Sequence, residues 1–92
     1  MIDPKIELIF ECALKRAVSK CLIGRQSISV AEAVKRAFAQ IPKRHYSMVM
    51  NHNTNWYQFT VFFFKEKHKN SYKMSDGRVL ECSRRSTISF DT

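Results

Sequence analysis

Apolar residues recur at helical spacing along the start of this chain. Ile6, Phe10, Ala13, Leu14, Ala17 and Cys21 step by three and four positions. At 100° per residue they draw a single stripe, the pattern of an amphipathic helix. Asp3 before Pro4 supplies a start, because Asp can cap the open N–H groups and Pro suits the first helical position. Gly24 is placed to close the helix in a left-handed cap. The pattern predicts a first helix from Pro4 to Ile23. A second opens at Ser29-Val30-Ala31-Glu32, a capping box. Val30, Ala33, Val34, Ala37, Phe38 and Ile41 line its inner face, and Pro42 ends the run by forcing its predecessor out of the helical region. The linker Arg25-Gln26-Ser27-Ile28 is short, so the two helices are neighbours.

From His45 the period reads as two. His45 to Met50 predicts a short strand, and Asn51-His52-Asn53-Thr54-Asn55 a polar turn. Trp56 to Lys65 predicts the strongest strand, central in its sheet. Tyr57, Phe59, Val61 and Phe63 point one way, and Trp56, Gln58, Thr60, Phe62 and Phe64 the other. Residues 65–70 read as a charged loop, Ser71 to Ser75 as a short strand and Asp76-Gly77 as a hairpin turn. Arg78 to Ser83 and Ser86 to Phe90 complete the strands. The expected fold class is α+β in ααββββ order. Two N-terminal helices pack on one face of an antiparallel sheet of four to five strands, in one domain over residues 1–92.

A chain of 92 residues with 45% apolar content holds one modest core. Two Gly and two Pro argue against low complexity. Cys12, Cys21 and Cys82 are odd in number and widely spaced, which suits free thiols in a reducing compartment better than a disulfide framework. No stretch approaches the ~18 apolar residues of a membrane span. The first seven residues carry early acids and lack the apolar core of a signal peptide. The expectation is a cytoplasmic protein.

Charge changes the picture most. Sixteen Lys and Arg face eight Asp and Glu, a net +8. A fold needs no such excess. A surface this positive attracts polyanions over about 8 Å at physiological salt. Helix one carries Lys5, Lys15, Arg16 and Lys20 opposite or beside its stripe, with Arg25 just past its end. Lys35 and Arg36 lie on the exposed side of helix two, and Lys43 and Arg44 follow it. Lys65, Lys67, Lys69 and Lys73 form a third group around Glu66, and Arg84 and Arg85 a fourth. Part of this is ordinary helix chemistry: acids early and bases late favour the macrodipole, and Glu11 with Lys15 is a favourable i,i+4 pair. The candidate partner-binding or nucleic-acid-binding residues are Lys15, Arg16, Lys20, Arg25, Lys35, Arg36, Lys43, Arg44, Lys65, Lys67, Lys69, Arg84 and Arg85. Arg offers forks that match phosphate or carboxylate, and Lys a mobile point charge. Trp56, Tyr57 and Tyr72 have faces on which bases could stack, though such residues more often fill cores.

Catalytic and metal motifs are missing from the sequence. Its His and Cys never fall at metal-ligand spacing, and Gly24 and Gly77 cannot build a phosphate-cradling loop. Glu66 with His68, or Glu81 with Asp76, would lie in surface loop or hairpin, where solubilising charge explains them. The expectation is a binding protein with no enzymatic activity, cofactor or metal. The two helices fit a helix-turn-helix poorly, and the element order matches neither common RNA-binding module.

Read whole, from Met1-Ile2-Asp3-Pro4-Lys5-Ile6-Glu7-Leu8-Ile9-Phe10 to Ser86-Thr87-Ile88-Ser89-Phe90-Asp91-Thr92, the chain resembles small phage anti-CRISPR proteins that block the type I-F surveillance complex. These inhibitors share no motif, so the likeness transfers no residue roles. It implies a non-enzymatic inhibitor acting in the bacterial host cytoplasm. Such a protein binds the multi-subunit Cas ribonucleoprotein, guide RNA included, and blocks hybridisation of target DNA. Many such inhibitors are acidic DNA mimics. A +8 chain departs from that pattern, so its positive faces are expected on guide RNA or acidic protein surface. The alternative is a small basic DNA- or RNA-binding regulator of phage or plasmid origin. A membrane-surface role for helix one, or charge incidental to function, are further readings.

Overall fold

Asp3 opens the first helix as its position implies: its Oδ1 accepts the Lys5 N–H at 2.9 Å, and its carbonyl accepts the Glu7 N–H at 2.9 Å. The computed structural model describes residues 3–21, 27–67, 69, 71–74, 77–82 and 87–90. Helix α1 spans Pro4–Cys21, and its buried stripe comprises Ile6, Phe10, Ala13, Leu14, Ala17 and Val18. The expected extension to Ile23 and the Gly24 cap lie outside the described residues. So do Arg25, Arg84 and Arg85.

Strand β1 (Ser27–Ser29) leads directly into α2 (Val30–Gln40). Ser29 ends the strand and caps the helix, its Oγ accepting the Glu32 N–H at 3.1 Å. The Ser29 half of the expected capping box is present, the Glu32 carboxylate pairs with Arg36, and the strand replaces part of the expected linker. Helices α1 and α2 make the most extensive contact between elements among the described residues. Both bury alanines one turn apart, Ala13 and Ala17 on one and Ala33 and Ala37 on the other. Side chains this small let two helix axes approach closely.

The two strands expected next are helices. Residues expected as a strand from His45 to Met50 lie in α3 (Lys43–Met50), and the expected central strand from Trp56 is α4 (Trp56–Phe62) followed by a π-helical turn (Phe63–Lys67). The buried residues of the second run are Trp56, Phe59, Thr60, Phe63 and Phe64, a spacing of three, four, seven and eight. That is a helical stripe. Alternation and aromatic content favoured a strand, but packing of the stripe decided the outcome. Asn55 starts α4: its side chain accepts the Gln58 N–H at 3.1 Å. Thr60 Oγ1 donates to the Trp56 carbonyl at 2.8 Å, which satisfies a buried hydroxyl inside the helix. In the π turn, i→i+5 bonding rotates the chain less per residue than an α-helix does. Consecutive Phe63 and Phe64 both stay inward, their rings 5.1 Å apart at 81°.

Phe10 is the hub of the helical layer. Its ring stacks on Trp56 at 4.3 Å and meets Phe59 and Phe38 edge-on at 5.7 and 5.8 Å. One side chain of α1 thereby holds α2 and α4.

Strands β2 (Ser71–Lys73), β3 (Val79–Cys82) and β4 (Thr87–Phe90) fall where the sequence implies. Gly77, at φ +92°, lies in the β2–β3 connection, and its N–H donates to the Met74 carbonyl at 3.0 Å. Nothing lies within 4 Å of a Cβ placed there, so backbone conformation rather than space calls for glycine. The sheet is antiparallel with order β1-β4-β3-β2. Ile28, Ile88, Cys82 and Leu80 are buried and share one core with the helices. The alternate positions Ser27, Ser89, Glu81 and Ser71 form a polar row. The chain is therefore α+β, but its order is αβαααβββ rather than ααββββ. The helical segment in closest contact with β2 and β3 is the π turn.

Candidate functional site

The fold separates the cations that the sequence groups together. Lys15 turns toward the sheet, with Nζ 5.0 Å over the Tyr72 ring. A hydrogen bond from the ammonium to the Tyr72 side chain raises the lysine above its ordinary pKa, against an opposing effect of burial. Lys67 Nζ bonds Glu11 Oε1 at 2.9 Å and lies 5.7 Å from the Phe63 ring centroid. Glu11, read from the sequence as an i,i+4 partner of Lys15, is buried and bonds Lys67 instead. Arg36 Nε pairs with Glu32 Oε1 at 2.9 Å, and Lys65 is half-buried near the Cys82 thiol. Burial raises that thiol's pKa, while Lys65 opposes the rise. Lys35 and Lys69 are exposed.

The remaining cations, Arg16, Lys20, Lys43 and Arg44, lie on α1 and at the start of α3. Pro42 ends α2 and caps the start of α3, so Lys43 and Arg44 fall in the first turn of a helix. Arg16 and Lys20 lie one turn apart on α1. Lys20 Nζ donates to Gln40 Oε1 at 3.4 Å, which draws the end of α2 to the same side. Arg44 Nε donates to His45 Nε2 at 3.1 Å. Arg16, Lys43 and Arg44 form no ion pair among the described residues.

Arg16, Arg44 and His45 border an open cleft of about 220 Å³ floored by Leu8, Ile9, Cys12, Ala13 and Pro42. Cys12 is an exposed thiol there, and Leu8 is 57% exposed. Among the described residues no carboxylate lines this cleft. A second hollow, formed by Pro4, Glu7, Leu8, Glu11 and Lys67, lies on the other side of Leu8 and is the acidic one. Sequence reasoning found Arg16 and Arg44 by charge. It missed Leu8, Cys12 and Arg16 as one row at i,i+4 spacing, because the strand reading of His45–Met50 left α1 without α3 beside it.

Trp56 and Tyr72, considered as stacking platforms, are engaged within the fold, whereas Tyr57 is exposed. Among the described residues no group of His, Cys, Asp or Glu could hold a metal ion, and no helix is long and apolar enough to cross a membrane. Compared with protein-family models, curated proteins and solved structures, the chain matches none.

Proposed function

We propose that this chain is a non-catalytic binding module that docks on an anionic macromolecular assembly through the band formed by Arg16, Lys20, Lys43 and Arg44. The observation that carries the reading is that Arg16 and Arg44 border one cleft with no carboxylate among its described lining residues, while Lys20 bonds Gln40 at the end of α2 and Lys43 opens α3. Unpaired cations beside apolar surface suit a partner that brings its own negative charge.

The whole-chain resemblance to type I-F anti-CRISPR proteins supplies the assembly: a bacterial Cas ribonucleoprotein met in the host cytoplasm. Such a complex holds the guide RNA backbone and leaves its bases for pairing. A small basic wedge on its surface obstructs target DNA without imitating it. The test is co-elution with the purified type I-F complex in about 150 mM salt. The reading expects a stable complex and only weak retardation of bare DNA or RNA. Tight binding to bare oligonucleotides instead assigns the chain to the basic nucleic-acid regulators.

A further inference from the structure

The Leu8–Arg44 cleft has a composition that separates one kind of partner from another. Its floor is aliphatic, and its charged rim lies at the α3 end. At about 220 Å³ it falls below the ~300–1,000 Å³ of pockets that enclose drug-sized ligands. It suits one inserted side chain. Among the described residues His45 is the one aromatic ring on its lining, with no Phe, Tyr or Trp, whereas single-stranded nucleic acid is held by several ring faces on which successive bases stack. Two guanidinium groups at one rim match carboxylates through paired N–H donors. The α3 first turn adds no acid to offset them. On the far side of Leu8, Glu7 would repel the same ligand, while Glu11 is paired with Lys67. The charge pattern therefore has a direction.

We infer that this cleft receives an acidic protein segment: one leucine-, methionine- or phenylalanine-type side chain seats against Leu8, Ile9 and Ala13, and flanking Asp or Glu residues pair with Arg16 and Arg44. The inference rests on the proposed function and names its contact as acidic protein surface rather than guide RNA. Leu8 is the apolar anchor on this side, which explains a large aliphatic residue left open to solvent. Arg16 and Arg44 set the orientation of the segment.

The test is a titration of the ¹⁵N-labelled full chain, followed by amide shifts, with four probes. They are a short Asp/Glu peptide with a central Leu, the same peptide with Ser in place of Leu, a Lys peptide with the same Leu, and a single-stranded RNA oligonucleotide. The acidic Leu peptide is expected to shift residues between Leu8 and Arg16 together with Arg44 and His45. It should bind at least about tenfold tighter than the Ser and Lys peptides. Leu8→Ser, a change at an exposed position, should weaken it about tenfold, and Arg16→Glu with Arg44→Glu should abolish it. Equal binding of the Ser peptide, shifts elsewhere on the molecule, or RNA shifting these residues at lower concentration than the peptide each overturns the inference. The two claims fail separately. A silent cleft in a chain that still binds the Cas complex refutes the cleft alone. An occupied cleft in a chain that binds no such complex refutes the proposed assembly and leaves the cleft.

Discussion

Lys67 Nζ sits 2.9 Å from Glu11 Oε1 and joins the π-helical turn to α1 across 56 positions of sequence. The carboxylate side chain is 9% exposed and the lysine 46%. Removing the cation would leave a nearly buried charge without its partner, and that loss is larger than the worth of an exposed pair. Lys67→Met is expected to lower stability by about 1–2 kcal/mol in urea denaturation. Adding Glu11→Gln should return part of the loss. Independent, additive effects of the two changes would show that the pair contributes nothing.

The Phe10 hub sets a contrast with an exposed aromatic. Phe10→Ala should cost about 3–5 kcal/mol, because it opens a cavity between α1, α2 and α4 and removes the stack on Trp56. Trp56 is the only tryptophan, so its emission should move to longer wavelength. Phe62→Ser, at a position 55% exposed, should stay within about 0.5 kcal/mol. A strand at 56–65 would instead make Phe62 and Phe64 equivalent, and comparable losses at those two positions would contradict α4.

Caps test the helix boundaries. Ser29→Ala and Asn55→Ala each remove a side-chain acceptor for a first-turn N–H. Each should cost about 1 kcal/mol in chemical denaturation. Replacement by Asp should preserve most of the stability at neutral pH. A neutral Asn55→Ala would mean that Asn55 is turn chemistry alone.

Stability should fall at alkaline pH. Lys15 and Cys82 both hold their protons more tightly in the folded chain, Lys15 through its hydrogen bond to Tyr72 and Cys82 through burial. A raised folded pKa gives stability that is fully present below the unfolded value. It is lost as pH rises through the folded one. The thiol begins to titrate from about 8.5 and the lysine from about 10.4 in the unfolded chain. Urea midpoints should therefore hold steady to about pH 8 and then decline in two stages. Cys82→Val should remove the earlier stage and Tyr72→Phe should shrink the later one. A midpoint that rises above pH 9 would contradict both assignments.

Residues that act locally were the legible ones. Asp3, the Ile6–Ala17 stripe, the Ser29–Glu32 cap and the three strands after Ser71 all declare themselves within a few positions. The stretch 56–64 carries both periods at once. Its aromatic content tips propensity toward strand, while burial of Trp56, Phe59, Thr60, Phe63 and Phe64 requires a helix. Asn55 and Pro42 signal helix starts as well as turns and stops, and the starts of α3 and α4 were not read from them. The cleft was out of reach for the same reason. Leu8 and Cys12 line a cleft only when Pro42 and Arg44 lie beside them, and that depends on α3 being a helix packed on α1. Charge alone singled out Arg16 and Arg44 as candidates. It could not reveal that Lys15 and Lys67 would be drawn into contacts within the fold.

The most direct test is target-DNA binding by a purified type I-F Cas–guide RNA complex, measured against increasing amounts of the wild-type chain and of the Arg16→Glu/Arg44→Glu variant. The wild type should suppress DNA binding, and the folded variant should need at least about a hundredfold more protein for the same effect. Equal potency of the two proteins, or no suppression by the wild type, would contradict the account.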